Sequence, residues 1–138
     1  MISFVTYDPS NGRITARFSV SDGQEVNYSN RVTITQEQYE AQPEITMRIN
    51  VSTKTLEDKA QVHLTTNKTT AGRNETVTVT CNGLVAAGQL AGNDGGTVAV
   101  SPQSPSVSMS TNVLGQYKIT LVTDLNQYSN DIILVTIS

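Results

Sequence analysis

From residue 61 onward no single rhythm lasts long in this chain. Seven short runs with strand-like alternation, at 61–66, 75–82, 84–90, 97–101, 106–111, 116–123 and 131–137, follow one another with turn residues between them. The separators are Thr70-Ala-Gly-Arg, Asn82-Gly, Asn93-Asp-Gly-Gly, Pro102 to Pro105 and Asn112 to Gly115. Gly and Asn tolerate positive φ and Pro presets φ for a turn, so each separator ends a strand rather than extending it. Strands this short bury one face each and need a second layer to bury it against. The expectation for residues 59–138 is therefore a two-sheet sandwich of about seven strands.

The alternation assigns the two faces. Val62 and Leu64, then Val77, Val79 and Cys81, point into the core, while the threonines between them face water. With no Trp and only two Phe, the core has to be mostly aliphatic. Charged residues are 15% of the chain, so Thr and Ser have to carry much of the outer surface, as they do in β-rich domains.

The first part of the chain reads as a smaller β unit, residues 1–58. A strand over 2–7 meets the turn Asp8-Pro-Ser-Asn-Gly12 and returns over 13–20, which makes a hairpin. On the return strand Ile14, Ala16, Phe18 and Val20 fall on one face, with Arg13, Thr15, Arg17 and Ser19 on the other. A further strand is expected at 31–35. Thr35 followed three residues later by Gln38 has the form of a capping box, which predicts one or two helical turns over 36–41, before Pro43. Ile45, Met47, Ile49 and Val51 alternate as another strand, and polar residues 53–59 read as an edge or linker. The whole chain is thus expected to be all-β.

Few residues offer chemistry. Cys81 is the only cysteine and continues the buried face of Val77 and Val79, where a thiol behaves as a small hydrophobe. His63, the only histidine, lies between Val62 and Leu64 and so falls on the opposite, exposed face of its strand. That separation argues against a Cys–His couple. One His and one Cys do not supply a zinc site, and Glu37, Glu40 and Glu44 read as a solvated face. Asn93-Asp-Gly-Gly96 lacks the Lys-Ser/Thr of a phosphate loop and reads as a hairpin turn. No catalytic residue, metal or cofactor is expected. Tyr117, near the start of the penultimate strand, is expected to tie its hydroxyl to nearby backbone.

Net charge is −3 and the basic residues are scattered, which argues against nucleic acid as a partner. The longest aliphatic run is 132–135, far short of a bilayer span. The first ten residues lack a basic start and an apolar stretch, so no secretory signal is expected. The four acceptor sequons, at Asn27, Asn50, Asn67 and Asn74, then read as chance products of an Asn- and Thr-rich composition.

Two groups of stretches resemble known proteins. "HLTTNKTTAGRNETVTVTCNG", "GQYKITLVTD" and "DIILVTIS" are similar to the immunoglobulin-like modules of bacterial and phage surface proteins. "VTYDPSNGRITARFSV" and "PEITMRINVSTKTLEDK" resemble the hairpin-bearing segments that open phage virion accessory proteins. The resemblance implies a non-enzymatic structural virion protein, made in the host cytoplasm and carried on the capsid surface: a tailed-phage capsid decoration protein. Residues 1–58 would dock on the major capsid protein or another virion protein, and 59–138 would project as an immunoglobulin-like sandwich. It further implies a homo-oligomer, a trimer by analogy with shell symmetry, with neither nucleic acid nor membrane as partner. Phe4, Ile14 and Phe18 are the candidate contact residues, and the same side chains also suit the hairpin's own core. The alternatives are a tail- or fibre-associated virion protein, and a cell-surface adhesion or carbohydrate-binding module. The last needs a platform of exposed aromatics, for which five Tyr and no Trp are thin provision.

Overall fold

A computed structural model describes residues 1–123 and 126–138. Asp124, which closes the stretch GQYKITLVTD, lies outside the described residues. The chain is all-β, with 51% of its residues in strands and 10% in helices. It divides into two compact units, Met1–Lys59 and Ala60–Ser138.

In the first unit β1 (Ile2–Tyr7) is the centre of a three-stranded antiparallel sheet, flanked by β2 (Ile14–Val20) and β3 (Arg31–Ile34). The turn between β1 and β2 is the one its residues prescribe. Asp8 Oδ1 accepts from Ser10 N at 2.9 Å and Ser10 Oγ at 2.6 Å, and Gly12 N donates to Asp8 O at 2.8 Å. Gly12 takes φ +80°, a left-handed angle that glycine adopts at no steric cost. A 3-10 turn, Gln24–Asn27, joins β2 to β3.

The capping box closes in both directions: Gln38 N donates to Thr35 Oγ1 at 3.1 Å, and Thr35 N donates to Gln38 Oε1 at 2.8 Å. It starts α1 (Gln36–Glu40). The next segment departs from the alternation in the sequence. Ile45 sits in a second short helix, α2 (Pro43–Thr46), which Pro43 opens with its preset φ. Only β4 (Met47–Asn50) is strand, and it pairs with β5 (Thr55–Asp58), where the sequence suggested an edge or linker. That hairpin turns without glycine. Asn50 Oδ1 accepts from Ser52 N at 3.0 Å and Thr53 N at 3.2 Å, and Lys54 takes φ 58° in the glycine's place.

A β-bulge changes how the first hairpin is used. Thr6 pairs with Ala16 but Tyr7 pairs with Ile14, so Thr15 is an extra residue. One extra residue reverses the face of everything beyond it. Ile14 therefore leaves the face of Phe18 and joins Val5, Tyr7, Ile34 and Ile49 in the buried cluster beneath the sheet. The single stripe read from Ile14, Ala16, Phe18 and Val20 is in fact two.

The second unit contains β6 (Ala60–Gln61), β7 (His63–Thr66), β8 (Thr70–Ala71), β9 (Val77–Asn82), β10 (Gly88–Gly92), β11 (Thr97–Val100), β12 (Ser106–Met109), β13 (Gly115–Val122), β14 (Gln127–Tyr128) and β15 (Ile133–Ile137). Five strands form one sheet in the order β11-β10-β13-β15-β8, and three form another in the order β12-β9-β7. Their inward residues share one core: Leu64, Val77, Val79, Cys81 and Met109 from the smaller sheet meet Leu90, Val100, Tyr117, Ile119, Val135 and Ile137 from the larger. Burying each aliphatic side chain contributes about 1.5–3 kcal/mol, which makes this layer the main source of the unit's stability.

Two polar details tie loops to that core. Gln127 is fully buried, accepts from Val85 N at 3.1 Å and Ala86 N at 3.2 Å, and donates to Ala86 O at 3.0 Å. It holds the segment before β10 in irregular form, so that strand begins at Gly88 rather than at residue 84. Asn93 brackets the β10–β11 turn against β13, accepting from Lys118 N at 3.1 Å and donating to Gln116 O at 3.0 Å.

Candidate functional site

An aromatic cluster lies on the first unit, on the sheet face opposite the Ile14 cluster. Phe4 and Phe18 are cross-strand partners and their rings stack at 5.2 Å. Tyr28, delivered by the turn before β3, closes on both, at 5.0 Å from Phe4 and 4.6 Å from Phe18. The pair Ile2 and Val20 lies next along the same face, two residues away on each strand. Phe4 is completely buried at the bottom of this group, while Ile2, Phe18, Val20 and Tyr28 are half-buried and form its surface. Offset and tilted aromatic contacts at these separations add about 0.5–1.5 kcal/mol beyond area burial.

The three candidate contact residues are thus divided. Phe4 and Phe18 come together, but only Phe18 reaches the surface; Ile14 is buried on the other side of the sheet. Tyr28 was not singled out from the sequence. It sits in the polar run Asn27-Tyr-Ser-Asn, where no alternation marks it, and only the strand pairing brings it over the phenylalanines.

The residues with chemical potential lie apart. Cys81 is paired with Leu64 across the ladder and is 2% exposed. Burial pushes its thiol pKa up, which disfavours the nucleophilic thiolate. His63 is on the outer face, opposite Asn82, and its Nδ1 lies 3.2 Å from Asp131 Oδ2. The same carboxylate oxygen accepts from Leu64 N at 3.0 Å, so Asp131 anchors the start of β7 as much as it faces the imidazole. Among the described residues no group of three or more His, Cys, Asp or Glu is placed to hold a metal ion. Tyr117 is buried below Gly92, where a β carbon would come within 2.5 Å of its ring, and burial with the nearby Asp94 carboxylate raises its pKa.

Compared with known proteins, the chain matches no family model, no curated protein and no solved structure. No helix among the described residues is long and apolar enough to cross a membrane.

Proposed function

We propose that the chain is a non-enzymatic structural protein of a virion, a capsid decoration protein that docks on the phage head through residues 1–59 and displays an immunoglobulin-like unit built from residues 60–138. The observation that carries the reading is the half-buried face of Ile2, Phe18, Val20 and Tyr28 over buried Phe4. Aromatic anchors that lose little entropy on contact suit a small unit whose work is adhesion to another protein.

Strand order supports the immunoglobulin-like reading. Counting the seven longer strands, the first, second and fifth form one sheet and the third, fourth, sixth and seventh form the other. Immunoglobulin sandwiches keep A, B and E in one sheet and C, F and G in the other, and the variable type adds C′ beside C; strand D of the first sheet has no counterpart among these seven.

The test is particle occupancy. Val20→Lys places a charge at the rim of the aromatic face without removing a ring from the stack. The variant should keep its fold, read from its amide spectrum, and lose its place on purified particles. Unchanged occupancy rejects docking by this face. Occupancy at only a few copies per particle moves the protein from the head to the tail.

A further inference from the structure

The short helices pack against β2 on the Val5 face of the first sheet, with Arg17 donating to Tyr39 O, stacking on the Tyr39 ring at 5.0 Å and pairing with Glu44 at 3.5 Å. β3 is the other terminal strand of the sheet, and its ladder phase is fixed by the bond from Tyr7 N to Asn30 O at 3.0 Å. Antiparallel pairs alternate between bonded and non-bonded, so Val32 and Ile34 bond back to Val5 and Ser3. The N–H and C=O groups of Arg31 and Thr33 consequently point outward, away from β1.

Along that edge runs a cleft of about 400 Å³, lined by Tyr7, Asn30, Arg31, Thr33 and Lys54. All five carry polar side chains, and two are cationic with no carboxylate among them. In a chain of net charge −3 this is a local reversal of sign. The guanidinium of Arg31 gives one donor to Tyr28 O at 2.7 Å and keeps the rest of its fork. Asn30 at φ 50° and Lys54 at φ 58° hold left-handed angles unusual for residues other than glycine, and together they frame the cleft.

We propose that the outer edge of β3 receives an extended segment of a partner protein carrying carboxylates at alternate positions. The segment adds as a fourth strand through main-chain bonds to Arg31 and Thr33. Alternate residues of a strand share a face, so every second side chain of the guest falls on the side of Arg31 and Thr33, in the cleft that Lys54 also lines. The inference rests on reading residues 1–59 as the docking unit and names the chemistry of what they dock to.

The test uses the intact chain, 15N-labelled, titrated with the blocked peptide Glu-Val-Glu-Val-Glu, with its Gln-for-Glu counterpart, and with inorganic phosphate. The Glu peptide should shift the Arg31 and Thr33 amides and slow their hydrogen exchange. The Gln peptide should bind about fivefold more weakly, since exposed ion pairs contribute about 0.2–1 kcal/mol each. Arg31→Gln and Lys54→Gln should each cost about two- to fivefold by the same reasoning. Thr33→Pro deletes an outward N–H without touching the β1 ladder, and should abolish binding while Val5 and Ile49 keep their resonances. Equal binding of the two peptides overturns the proposal. So does phosphate reproducing the peptide's shifts with no exchange protection, which would make the cleft an anion site only. Particle occupancy separates the two readings: Thr33→Pro particles fully decorated reject edge addition alone, whereas full decoration by the Val20→Lys variant rejects the docking face.

Discussion

Gly12→Ala is the sharpest probe of how the first unit holds together. The Asp8–Gly12 turn closes directly onto β4: Ile49 N donates to Gly12 O at 2.8 Å, and Arg48 Nη2 donates to Asn11 O at 3.1 Å. A β carbon at residue 12 would stand 2.0 Å from Ile49 O, a backbone atom, so the turn and β4 have to part, and φ there is +80°. The left-handed angle alone costs an L-residue about 1–2 kcal/mol. Separating the turn from β4 loses two hydrogen bonds at about 1 kcal/mol each, and the stiffer unfolded chain returns about 0.5–1 kcal/mol. The net loss is about 2–3.5 kcal/mol. At a urea slope of about 1–3 kcal/mol/M the midpoint of the first unit falls by about 0.7–3.5 M. Urea titration followed by amide resonances reads each unit separately, with Val5 and Ile49 reporting on the first and Val79 and Val135 on the second. An unchanged midpoint for Val5 and Ile49 would refute the packing argument.

Other perturbations have equally defined outcomes. Gln127→Met keeps volume but strips three hydrogen bonds from residues 85 and 86; it should destabilise the second unit by about 3 kcal/mol, measured as a urea midpoint shift. Cys81 should resist thiol reagents until the unit unfolds. Its raised pKa also gives a sign: the unfolded thiol ionises first, so the stabilising contribution is whole below the ordinary thiol range and is lost as pH rises through the folded value. Cys81→Ala should remove that part of the alkaline loss and leave the Tyr117 part, which has the same sign at higher pH. Glu75 behaves oppositely. Gly72 N at 2.7 Å and Lys68 Nζ at 3.1 Å hold its carboxyl below the usual range, so its contribution is present above that range and fades as pH falls; Glu75→Gln should flatten the acid limb of a stability–pH curve.

Much of the architecture is written in local chemistry. The Asp8–Gly12 turn, the Thr35–Gln38 cap, and the inward set of Leu64, Val77, Val79 and Cys81 all follow from residue type and spacing, because a side chain there determines its own backbone. Three features are not legible in this way. The bulge at Thr15 is one unpaired residue whose consequence, the turning of Ile14 away from Phe18, depends on the partner strand. The β4–β5 turn uses Asn50 side-chain bonds and a left-handed Lys54 where glycine would have announced it. The parallel pairing of β8 with β15 joins residues 71 and 137, far apart in the chain and only two residues long on one side. The candidate face suffers most from this: Phe18 is visible in the sequence, but Tyr28 and the β3 cleft exist only once the strands pair.

Electron cryomicroscopy of purified particles tests the account at its centre. If surface adhesion by residues 1–59 is this protein's work, the reconstruction will show that unit seated on the shell with Phe18 and Tyr28 against a neighbouring chain. A shell gripped by residues 60–138 while the Phe18 face stands in solvent, or particles that never carry the chain, would contradict it.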